Sequence, residues 1–83
     1  MNDEQKLRAI IGDIECALLR FDNAHPIEER SVRERSLQTA QGAMQYANEV
    51  AESLPSDVQV GIGIRLLRRA VCSMIDEHNS GAY

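Results

Sequence analysis

Gly61-Ile62-Gly63 is where this sequence comes nearest to a phosphate-cradling turn. A dinucleotide fingerprint needs a strand before the first glycine, a third glycine after two further intervening residues, a helix behind it and a parallel sheet around it. Leu66 stands where the third glycine belongs, and no other segment alternates convincingly as a partner strand, so that reading is set aside. Other reactive residue types are equally scattered. Cys16 and Cys72 are isolated, and neither lies at metal-ligand spacing from His25 or His78. As free thiols they are expected to be buried or half-buried and to act as small apolar residues. His25 precedes Pro26 in a connector. His78 falls in a last helical turn, where a protonated ring would meet the negative end of its own helix. Glu49, Glu52, Asp76 and Glu77 occupy ordinary solvated positions. The H-E-x-x-H, G-x-S-x-G and P-loop patterns are missing. The expectation is a protein that is not an enzyme, with no metal site and no cofactor.

Arginine is the residue type with some character. Of nine basic residues only Lys6 is lysine, and guanidinium is the cation suited to planar, two-pronged contacts with carboxylates. Arg65 and Arg69 lie four apart on one helical face with Arg68 beside them, a patch that suits an acidic partner surface. The competing account is a solvated face paired to helix-one acids such as Asp13 and Glu15. Arg30, Arg33 and Arg35 form a second, looser group interrupted by Glu28, Glu29 and Glu34. Interruption by acids, together with a formal charge of −4, weighs against nucleic acid as the partner.

Three amphipathic segments would carry these residues. Leu7, Ile11, Ile14, Leu18 and Phe21 alternate spacings of four and three, with Asn2 or Asp3 placed as a cap, which predicts a helix over about residues 3–22. Asp22-Asn23-Ala24-His25-Pro26 breaks it. A second helix over about residues 27–54 starts either at Pro26 or at the capping-box pattern Ser31-Val32-Arg33-Glu34. Its seam runs Leu37, Ala40, Met44, Ala47, Ala51 and Leu54, half of it alanine, so a neighbour can approach closely. Pro55 stops it, and Ser56 with Gln59 offers the next cap.

The third segment, about residues 57–78, admits two periods. Val58, Val60, Ile62 and Ile64 alternate as a half-buried strand would, whereas Val60, Ile64, Leu67, Val71, Met74 and His78 form one helical stripe. The stripe favours helix; the extended alternative for Val58–Ile64 would have to pair with another chain. The predicted fold is all-α, a single domain built as a small three-helix bundle with an antiparallel helix 2–helix 3 hairpin and a flexible tail over 79–83.

With 83 residues, one modest core is possible but not a core plus a deep enclosed pocket, so function should sit on the surface. Residues 1–15 lack the basic start and apolar run of a signal peptide, and no segment approaches the roughly 20 apolar residues that span a bilayer; a cytoplasmic protein is expected. In size and composition the chain is similar to compact acidic helical accessory proteins of bacteria and phages, including inhibitors of host machinery. The scattered reactive residues, the low charge on the helix seams and the Arg-biased cations lead to the expectation of a regulatory or inhibitory module that binds another protein, identity unknown. Apolar residues off the main stripe, Cys16 and Leu19, suggest a homodimer. The alternative is a nucleic-acid or nucleotide-binding regulator that uses the arginines.

Overall fold

The computed structural model describes residues 2–80. Among them there are four helices and no strand: α1 (Asp3–Asn23), α2 (Arg30–Glu52), α3 (Ser56–Ile62) and α4 (Ile64–Ser80). Among the described residues no helix is long and apolar enough to cross a membrane.

Helix α1 forms as its sequence dictates. Asn2 is the cap: its side chain accepts the Gln5 N–H at 2.8 Å, and the Gln5 side chain accepts the Asn2 N–H at 3.3 Å. This closed capping box satisfies two otherwise orphaned donors. Leu7, Ile10, Ile14, Ala17, Leu18 and Phe21 form the buried face. The helix ends where Ala24 turns extended and its N–H bonds back to the Arg20 and Phe21 carbonyls.

The connector delays α2 beyond the expected start near residue 27. His25 Nδ1 accepts the N–H groups of both Ile27 and Glu28, at 3.2 and 3.1 Å, while Glu29 folds its carboxylate back onto the His25 N–H at 3.0 Å. These bonds hold 26–29 as a turn, and helix begins at Arg30 with Glu29 as a cap residue whose side chain bonds none of the helix amides. Ser31 therefore lies inside the first turn and is not the cap.

α1 is the main partner of α2. Ser53 Oγ donates to Asp3 Oδ2 at 2.7 Å at one end, and Arg33 Nη1 donates to the Phe21 carbonyl at 3.1 Å at the other, so the two helices run in opposite directions. The alanine seam behaves as its small side chains require. Ala40, Ala47 and Ala51 are buried in one apolar cluster with Leu7, Ile10, Ile14, Ala17, Leu18 and Met44, joined by Ile64 and Val71 of α4. Burying such side chains is the main favourable contribution to folding, about 25 cal/mol per Å² of apolar surface removed from water.

The third predicted helix is two. Gly63 takes φ +79°, the left-handed conformation that terminates helices, and its N–H bonds to the Gln59 and Val60 carbonyls. Ser56 does not act as the cap; α3 follows Pro55 directly, and Gln59 serves the preceding helix instead. Its Nε2 donates to the Ala51 and Leu54 carbonyls at 2.7 and 3.0 Å, satisfying acceptors at the end of α2. α4 runs on through Ser80, so Asn79 and Ser80 are helical and not tail; Gly81 to Tyr83 lie outside the described residues.

One further expectation is corrected by register. Cys16 and Cys72 are both free and exposed, because each lies beside a buried stripe residue, Ala17 and Val71, and not on it. His78 lies in the last turn of α4 and is buried, as its place in the stripe requires. Its ring meets Phe21 edge-on at 5.9 Å, and Nε2 stands 3.6 Å from Glu34 Oε1.

A candidate protein-contact surface

The α4 arginines project from the exposed side of the helix, opposite Ile64, Val71 and His78, because positions 65, 68, 69 and 72 fall outside the buried stripe. They do not pair with Asp13 or Glu15. Arg68 reaches α2, where its Nε donates to Asn48 Oδ1 at 2.9 Å. Among the described residues Arg65 and Arg69 enter no ion pair. With Val60, Gly63 and Leu66 they line a shallow hollow of about 410 Å³, and a second hollow of about 320 Å³ continues along Arg65, Arg68, Arg69 and Cys72. Val60 and Leu66 are 69% and 71% exposed.

The second arginine group is dispersed. Arg30 pairs with Glu34 at 3.5 Å. Arg33 must be withdrawn from the surface altogether: it is 5% exposed, its Nη1 donates to the Phe21 and Ala24 carbonyls at 3.1 Å each, and its guanidinium stacks 3.9 Å from the Phe21 ring centroid. It ties the start of α2 to the end of α1. Arg35 faces elsewhere, sharing a hollow of about 320 Å³ with Arg20, Ser31, Val32, Ser36 and Thr39. Ser36 and Thr39 turn their hydroxyls back to the Val32 and Arg35 carbonyls.

Arg20, Val60 and Leu66 are surface-forming residues that the sequence did not single out. Leu66 had a signal, since it lies beside Leu67 and cannot share the core stripe; Val60 had none, because it matches that stripe numerically. One more hollow, of about 300 Å³, lies between α1 and α4, where Leu18, Leu19 and Met74 are edged by Glu15 and Asp22. Among the described residues, no cluster of three or more His, Cys, Asp or Glu is arranged to hold a metal ion.

Fold and surface together define a small all-helical protein whose exposed side joins guanidinium groups to uncovered apolar side chains. Compared with known proteins, the chain matches no family model, no curated protein and no solved structure.

Proposed function

We propose that this chain is a non-enzymatic, cytoplasmic protein-binding module, regulatory or inhibitory in role, that works through the Arg65–Leu66–Arg69 side of α4. One observation carries the reading: two guanidinium groups with no ion pair among the described residues flank two apolar side chains left 69% and 71% exposed. An isolated exposed leucine needs no explanation. Here the apolar pair is bordered by cations that find no carboxylate among the described residues, an arrangement suited to a partner bearing apolar side chains among acids. The proposed arrangement is a three-helix bundle in which α3 and α4 together supply the third member and α4 folds back antiparallel on α2. The pairs His78–Glu34 and Arg68–Asn48, which join the far ends of the two helices crosswise, support it.

The test compares capture from native lysate by the wild type and by the double variant Arg65→Glu with Arg69→Glu. The melting temperature should stay within a few degrees, because exposed charges contribute little to stability. The partners retained by the wild type should fall at least tenfold in the variant, equivalent to about 1.4 kcal/mol. Equal capture by both proteins would remove α4 from the reading. Binding of the wild type to a random DNA duplex, falling steeply with salt, would favour the nucleic-acid alternative.

A further inference from the structure

We infer that the surface recognised by the α4 arginines is the acid-edged hollow on a second copy of this chain. The inference rests on reading the α4 face as a contact surface and adds the partner. Its basis is a complementarity between two exposed places on one molecule. Val60 and Leu66 are bordered by Arg65 and Arg69, whereas Leu18, Leu19 and Met74 are bordered by Glu15 and Asp22. Leu19 is 60% exposed. Among the described residues none of those four charges has an ion-pair partner within its own chain. Each place offers what the other lacks: an apolar centre with charges of opposite sign around it.

Their positions suit a two-fold pair. A two-fold interface is self-complementary, so surface A of one copy meets surface B of the other and the reverse holds at the same time. Leu66, Ala70 and Met74 follow one another at spacings of four along α4, a row that leads from one place to the other over about 12 Å of the helix axis while turning about 80° around it. With α4 crossing its symmetry mate in the opposite direction, the basic end of each copy lies over the acidic end of the other. Half-buried Ala70 lies midway, where a small side chain lets the helices approach. Roughly 800 Å² per protomer makes a standard interface, about one seventh of the 5468 Å² that this chain exposes.

Charge exchange tests this directly. Sedimentation equilibrium at micromolar concentrations should show a dimer for the wild type. The variant Arg65→Glu with Arg69→Glu and the variant Glu15→Arg with Asp22→Arg should each dissociate at least tenfold more readily, since both contacts in each homodimer become repulsive. Mixed together, the two variants should recover wild-type association, because both contacts in the mixed dimer again join opposite charges. Leu66→Ser, a change at an exposed position, should weaken the dimer with no loss of helical circular dichroism. A wild type that stays monomeric, or two variants that fail to associate when mixed, would overturn the inference. A monomer whose lysate capture still depends on Arg65 and Arg69 would leave the contact surface standing with a foreign partner. A monomer with no such dependence would remove both.

Discussion

Arg33→Ala should be among the most damaging single changes in this protein, although composition alone would place an arginine outside. In the native state the guanidinium is almost wholly removed from water, donates to two carbonyls at 3.1 Å and lies 3.9 Å from the Phe21 centroid. Hydrogen bonds from a charged donor are worth about 1.5–3 kcal/mol each, and a desolvated cation–π contact adds up to about 2 kcal/mol. Against these stands the cost of taking the cation out of water, several kcal/mol, which truncation relieves. The loss of stem packing adds to the damage. Phe21 keeps a second donor in the Ala24 N–H, so the acceptor left worse off is the carbonyl of buried Ala24. The net expectation is a loss of about 2–4 kcal/mol, out of a total of about 4–12 kcal/mol for a chain this size. Urea unfolding followed by circular dichroism measures it, with Arg33→Met retaining most of the stem and Arg65→Ala as the exposed control, expected within about 0.5 kcal/mol of wild type. If Arg33→Ala were as harmless as Arg65→Ala, the role assigned to the buried guanidinium would be wrong.

Further substitutions probe the joints of the fold. Gly63→Ala should destabilise by about 1–2 kcal/mol in thermal unfolding, purely through backbone strain at φ +79°, since nothing beyond residue 63 and its chain neighbours lies within 4 Å of the added methyl. Gly61→Ala, helical and equally open, should stabilise by about 0.5–1 kcal/mol, and a destabilisation would show that α3 is not helical there. Ala47→Leu should cost about 1–3 kcal/mol by overpacking a position that is 0% exposed; an unchanged denaturation midpoint would remove Ala47 from the α1–α2 contact. Gln59→Ala should cost about 1–2 kcal/mol by uncapping α2 and should speed amide exchange near Ser53 and Leu54, and unaltered exchange there would count against the cap.

What the sequence made legible is what depends on local pattern. The α1 stripe and a cap at Asn2 or Asp3 follow from spacing and residue type, as does the alanine seam of α2. What it hid depends on particular side chains choosing one partner among several. Nothing in the order His25-Pro26-Ile27-Glu28-Glu29 says that an imidazole nitrogen will collect two amides and postpone the helix to Arg30. Arg33 is different, because the information was present: it precedes Leu37 by four residues and Ala40 by seven, so it continues the seam, and only its charge argued for the surface. The arginine sites separated along the same line. Arg65 and Arg69, off the stripe, are exposed as expected, whereas the Arg30–Arg33–Arg35 group came apart because three residues within six positions of a helix face three directions.

Gly63 connects the fold to the proposed surface. Counting residues, Val60, Ile64 and Leu67 belong to one stripe, and an uninterrupted helix would turn all three toward the core. A single left-handed residue breaks that equivalence: α3 leaves in a new direction, Ile64 is buried to 1% and Val60 emerges 69% exposed beside Leu66. The Val60 share of the hollow therefore exists because the helix is broken. The break is stabilised from both sides, by the Gly63 N–H bonded back to Gln59 and Val60 and by the Gln59 amide held on the end of α2. Straightening the chain through residue 63 would have to give up the Gln59 bonds, about 0.5–1.5 kcal/mol each, together with the partial burial of Val58 and Ile62. Periodicity alone could not reveal this, because a stripe records which positions could share a face and not whether the axis carrying them stays straight.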